Sequence, residues 1–157
     1  MKRRRKELSA QRKLTILFVG IVLLICGVLL FWTVAFKLPY KEYEKVIIDN
    51  LSQRTDFDYS IKSPDFLSTK GEIVIEKDVF DLEMQLTIAH NPFGNHRFYL
   101  YIKDKEYTET IRIDEDLNYL PQDYDNIELR KQKEKLLSKY HSQAKQIMQE
   151  AKNILEG

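Results

Sequence analysis

The spacing of apolar residues changes character three times along this chain. Between Lys13 and Lys37 there is no alternation at all: Leu14 to Phe36 is a run of 23 residues without a charge. At about 1.5 Å per residue a helix of that length reaches about 35 Å, enough to cross a hydrocarbon core of about 30 Å with some tilt. Leu38-Pro39 is expected to break that helix, because proline lacks the N–H an α-helix needs. The next segment, Tyr40 to Arg54, sets Tyr43, Val46, Ile47, Asn50 and Leu51 at helical spacing. It reads as a short amphipathic juxtamembrane helix. Its modest apolar face and mixed charges suit covering a sheet better than lying among lipid headgroups.

From Phe57 the period becomes two. Phe57, Tyr59, Ile61; Ile73, Ile75; Phe80, Leu82, Met84, Leu86, Ile88; Phe98, Leu100, Ile102; and Tyr107, Ile111, Ile113 each alternate with residues of the opposite face, the pattern of strands buried on one side. Breaks at Lys77-Asp78, Asn91 to Asn95 and Asp104-Lys105 imply hairpins and an antiparallel meander. Residues that oppose each other must share a face. A loop at Asn91 to Asn95 sets Ile88 against Phe98, Leu86 against Leu100 and Met84 against Ile102, which passes that test. The next hairpin, read as Ile102 against Tyr107 and Phe98 against Ile111, sets Leu100 against Glu109 and leaves an acid on the apolar face.

After Pro121 the period becomes helical again. Asp125, with Glu128 three residues on, fits a variant of the capping box, and the helix is expected to run to about Leu155. Its stripe of Leu137, Tyr140, Ala144, Ile147, Ala151 and Ile154, flanked by Leu136, Met148 and Leu155, is broad enough to pack across a sheet, with a partner helix as the alternative. The fold class is therefore α+β: a single N-terminal transmembrane helix, a juxtamembrane helix, a four- to five-stranded antiparallel sheet and a long C-terminal helix.

Charge orients this arrangement. Seven basic residues and one acid precede the apolar run, and the positive-inside bias puts that end in the cytoplasm. The division is a basic cytoplasmic tail at 1–13, a transmembrane helix at 14–36 and an extracytoplasmic domain at 37–157. With a net charge of +1 overall, the exterior part is mildly acidic and offers no general attraction for nucleic acid. The apolar run exceeds the about 7 to 15 residues of a cleaved signal. Ile25, where a lipobox needs a small residue, argues against lipidation of Cys26. Because Cys26 is the only cysteine, the exterior domain has no internal disulfide and depends on its core. Asn50-Leu51-Ser52 is a formal glycosylation sequon inside an expected helix, and Gly20 and Gly27 are too far apart for a Gly-x-x-x-Gly pairing motif. These features fit the cell membrane of a bacterium, single-pass.

Little in the chain speaks for chemistry. His90 and His96 flank the hairpin loop as cross-strand neighbours and form a candidate metal pair, though zinc normally needs three or four ligands. Asp114, Asp116, Asn118 and Asp125 match positions of a calcium loop, but Tyr119 stands where glycine is needed. Glu109 is a candidate carboxylate of raised pKa. There is no Gly-x-Ser-x-Gly, no exterior cysteine and no phosphate-cradling glycine loop, so no enzyme and no cofactor are expected. Tyr99 and Tyr101, with Thr108 and Thr110 across from them, lie on the strand face opposite the core and are candidate partner-binding residues. The functional expectation is a membrane-anchored, non-enzymatic binding or accessory protein of the cell envelope. Its partner would be an envelope or secreted protein, as for an immunity protein against an exported toxin or a subunit of a secretion or cell-wall assembly. A metal or small-ligand sensor is the alternative.

Overall fold

The structure is a computed structural model and describes residues 2–52, 56–66, 68–79, 81–92 and 95–156. Two helices, α1 (Lys2–Trp32) and α2 (Leu38–Ser52), are joined without interruption by a π turn at Thr33–Lys37. Leu14 to Phe31 of this rod is almost entirely uncovered by the rest of the protein, and the helix is long and apolar enough to cross a membrane. The break expected at Leu38-Pro39 does not occur. Pro39 has no N–H to offer the Ala35 carbonyl, and the chain answers by widening one turn, so that the Leu38 N–H reaches back five residues to the Thr33 carbonyl. A π turn absorbs in this way a proline that would otherwise end the helix.

Five antiparallel strands follow in chain order: β1 (Asp58–Lys62), β2 (Glu72–Val79), β3 (Leu82–Ala89), β4 (Arg97–Lys103) and β5 (Thr108–Ile113). The β3–β4 register pairs Ile88 with Phe98, Leu86 with Leu100 and Met84 with Ile102, as the alternation required. Two turns differ from expectation. β2 continues through Lys77-Asp78 and the chain reverses just beyond Val79, where Asp81 takes a positive φ of 64°, a conformation Asp tolerates better than most residues. Phe80, expected in a strand, lies outside the described residues, as do Phe93 and Gly94 of the next loop. In the β4–β5 hairpin the pairing is displaced by two residues: Leu100 opposes Ile111, Phe98 opposes Ile113, and Glu109 opposes Ile102. The cause is Asp104. Its carboxylate accepts the backbone N–H groups of Glu106 and Tyr107 at 2.8 and 2.7 Å, drawing Tyr107 out of the strand and into the turn. Glu109 stays on the apolar side, where it accepts a hydrogen bond from Gln132 at 3.2 Å.

One sheet face carries the core. Ile73, Ile75, Met84, Leu86, Ile88, Phe98, Leu100, Ile102, Ile111 and Ile113 are all fully buried beneath α2 and two C-terminal helices, α3 (Ile127–Lys139) and α4 (His141–Glu156). The single long helix expected to follow Asp125 is thus two, separated at Tyr140. The expected stripe is present and packs inward: Leu137, Ala144, Ile147, Ala151 and Ile154 are buried in the core. Glu150 of α4 ties three elements together, accepting hydrogen bonds from Asn50 of α2 at 2.8 Å and Tyr59 of β1 at 2.7 Å. The amide of the Asn50 sequon is therefore engaged inside the fold.

The cap of α3 is Asn126, whose side chain accepts the Leu129 N–H at 2.8 Å. Asp125 does something else. It is buried, accepting from Lys133 Nζ at 2.7 Å, the Gln122 N–H at 2.9 Å and the Tyr119 hydroxyl. Burial alone would raise its pKa, but these donors together bring it down to about 2. The pair fastens the loop after β5 to α3, and removing one partner leaves a buried charge unmatched. Lys133→Met is expected to cost the full-length protein about 3 kcal/mol in denaturant unfolding. Adding Asp125→Asn should restore part of the loss, since Asn keeps the Gln122 contact without the charge. Because the carboxyl is depressed in the fold, the wild-type contribution is present above the ordinary carboxylate range and fades as pH falls through about 2.

Candidate functional site

Strand alternation leaves the second sheet face without a buried residue. Two rows cross it. Ser60, Val74, Thr87, Tyr99 and Arg112 form one; Asp58, Glu76, Gln85, Tyr101 and Thr110 form the next. Both tyrosines are half-buried. Thr110 lies directly opposite Tyr101, but Thr108 opposes Lys103 at the outer end of the sheet, and the residue opposite Tyr99 is Arg112. The two-residue displacement of the hairpin thus exchanges a threonine for an arginine beside Tyr99. Arg112 Nε is buried and has no hydrogen-bond partner.

Charge divides this face by strand. β1 and β2 contribute Asp58, Glu72, Glu76 and Asp78 against Lys62, whereas β4 and β5 contribute Arg97, Lys103 and Arg112 and no acid. Lys103 is paired with Glu83 of β3 at 2.7 Å. The tyrosines therefore stand within a cationic half-face.

A second cluster forms where the base of the sheet meets the start of α2. The His90 and His96 rings lie side by side with centroids 5.1 Å apart. Tyr40 and Tyr43 approach His90 edge-on at 5.7 and 5.9 Å, and Phe98 approaches His96 at 6.4 Å. Tyr40 fits because residue 71 is glycine: a Cβ there would run into its ring and come within 2.8 Å of Pro64 Cδ. The Tyr43 hydroxyl lies 3.3 Å from His90 Nδ1. His96 Nδ1 is buried without a hydrogen-bond partner, while the His90 ring meets the Ala35 carbonyl and the Tyr40 hydroxyl meets the His90 backbone. Among the described residues no group of three or more His, Cys, Asp or Glu side chains is placed to hold a metal ion.

Burial pushes the Tyr40 hydroxyl up to about 12 and holds both imidazoles below the usual histidine range. For His90 the proximity of His96 lowers it further while the Ala35 carbonyl works in the opposite direction, as Glu115 does for His96.

The remaining candidates serve the fold. Asp114 accepts the N–H groups of Asp116 and Asn118 at 3.0 and 2.7 Å and the Asn118 side-chain amide at 2.9 Å, and Asp125 faces Lys133, so the carboxylates of the calcium-like spacing do not converge. Asp104, beyond its turn, receives Lys139 at 2.8 Å and the Tyr140 hydroxyl at 2.6 Å. Hydrogen bonds from Lys139 and Tyr140 hold its carboxyl well below the ordinary range.

No protein-family model matches this chain, and no curated protein or solved structure matches it. The residues alone carry the functional reading.

The half-buried imidazoles should give the fold a pH response. A histidine depressed in the folded state binds its proton more readily when unfolded, so stability is complete above the ordinary value and declines as pH falls below about 6.5. The groups facing the pair are Tyr40 and Tyr43 from α2 and Glu115 from the loop after β5. Thermal unfolding of the full-length protein should show a falling melting temperature from neutral pH toward pH 5, and His90→Gln with His96→Gln should flatten that slope. Carboxylates begin to contribute only near pH 4. An unchanged slope in the double variant would assign the response elsewhere.

Proposed function

We propose that this protein is a single-pass, N-in membrane anchor carrying an extracytoplasmic, non-enzymatic binding module, and that its partner is an envelope or secreted protein with an acidic docking segment. The observation that carries this reading is the uncovered sheet face on β4 and β5. It presents Tyr99, Tyr101 and Arg112 together, the residue types that dominate protein interfaces, on a half-face with three cations and no acid. The Arg112 guanidinium opposite Tyr99 suits a carboxylate from outside. An exported toxin bound by an immunity protein, or a neighbouring subunit of a secretion or cell-wall assembly, is a partner of this kind. The exposed apolar run and the basic segment before it support the anchor and its orientation.

The test is site-specific photocrosslinking in native membranes from position Thr110, whose side chain is exposed. A discrete protein adduct is expected, weakened at high salt. Tyr99→Ala with Tyr101→Ala should reduce it at least about tenfold, the range of interface hot spots, while the melting temperature stays near that of the parent. Undiminished crosslinking by that variant would remove the face from the interface.

A second reading, a metal or small-ligand sensor, is favoured by one observation: His96 Nδ1 is buried and unpartnered on a ring directly beside that of His90. A ligand that binds only the folded state raises its melting temperature. Zinc should then raise it in the parent and not in His96→Gln; the absence of any shift with zinc would dismiss a zinc site.

A further inference from the structure

The exterior domain does not begin where the charge-free run ends. Trp32 and Phe36 both lie inside that run, yet they are 8 % and 7 % exposed, and Trp32 is covered by the connection between β1 and β2. Trp32 Nε1 donates to the Ser68 carbonyl at 2.6 Å, and Lys37 Nζ sits 5.9 Å over the indole ring. The part of the run left uncovered, from Leu14 to Phe31, is about 27 Å long at 1.5 Å per residue, close to the thickness of a hydrocarbon core. The level at which the domain starts to cover the helix is therefore the level at which hydrocarbon gives way to headgroups, where tryptophan is preferred.

The connection between β1 and β2 lies at that same level. Its tip is a tight turn closed by the Ser68 N–H on the Asp65 carbonyl at 2.9 Å. The turn displays Phe66, which meets Trp32 edge-on at 5.8 Å and is otherwise bare, 73 % exposed, as much as the residues of the apolar run itself. Lys37 and Lys70, both exposed, flank this tip in sequence or contact. An aromatic ring held at the end of a tight turn, beside the indole of an anchoring helix and near two ammonium groups, has the composition of a membrane-interface contact.

We infer that the β1–β2 connection is a second membrane contact, with Phe66 inserted at the headgroup–acyl boundary of the outer leaflet, so that the exterior domain is seated on the bilayer. This rests on the anchor reading of the apolar run. The occupant is lipid: Phe66 projects beside the final turn of the helix whose neighbouring side chains would themselves face acyl chains.

The single native cysteine makes the test direct. Full-length protein in phosphatidylcholine–phosphatidylglycerol vesicles is spin-labelled at Cys26, and separately at Asp65→Cys and Lys105→Cys in a Cys26→Ala background. Collision rates with oxygen and with a nickel chelate then report depth. The label at 26 should favour oxygen strongly. The label at 65 should favour oxygen several-fold over that at 105, which is in the turn at the opposite end of the sheet. Adding Phe66→Ser should bring 65 back toward the value at 105. A label at 26 in contact with water would overturn the anchor and the inference together. A buried label at 26 with an aqueous label at 65, or a depth at 65 indifferent to Phe66→Ser, would overturn the inference alone. Shielding of 65 from both reagents would assign the surface to a protein neighbour and equally overturn it.

Discussion

The unbroken backbone between α1 and α2 is the constraint on which the rest of this structure depends. Pro39 sits at the junction where a hinge would be expected, and the π turn at Thr33–Lys37 carries the hydrogen-bond ladder past it instead. The apolar run and the sheet-covering face of α2 thereby belong to one continuous helical element. Tyr40, three residues into α2, closes the junction from the other side: it fills the space that glycine leaves at position 71 and so locks the helix to the start of β2. With no cysteine outside the apolar run, no covalent link could substitute for this packing.

The sheet separates two kinds of work. Its inner face is almost wholly aliphatic, and burying that area supplies the main driving force for folding. Polar contacts then decide where the covering helices lie. Asp125 with Lys133 fixes the start of α3, Asp104 with Lys139 and Tyr140 fixes its end, and Glu150 draws α4 toward α2 and β1. Individually these contacts discriminate among placements more than they drive collapse. Together they leave the outer face of β4 and β5 uncovered, with its tyrosines and arginines in place.

Alternation made most of this arrangement legible from residues alone. The inward and outward faces of every strand follow from a period of two, and a displacement of two residues, as at β4–β5, preserves them; Tyr99 and Tyr101 therefore lie on the outer face in either register, while their cross-strand neighbours differ. The side-by-side placement of His90 and His96 follows from the same rule. What escaped were features set by contacts distant in sequence or by a single side chain redirecting the chain. Asp104 claims two turn amides and shifts the hairpin, which brings Arg112 rather than Thr110 beside Tyr99. Asp125 resembles a helix cap by spacing, but the adjacent Asn126 takes that role while Asp125 turns inward to a lysine eight residues ahead. Tyr140 separates two helices without a glycine or proline to announce it. Trp32 and Phe66 meet across more than thirty residues, and no local pattern marks that encounter.

A rod without a joint also has a mechanical meaning. From Lys2 to Ser52 the helix is about 75 Å long, so each degree by which the sheet leans displaces the opposite tip by about 1.3 Å, and any turn of the sheet about the rod axis turns the basic tip through the same angle. With the π turn in place of a hinge, the rod has the geometry of a lever and an axle between the sheet and the far end.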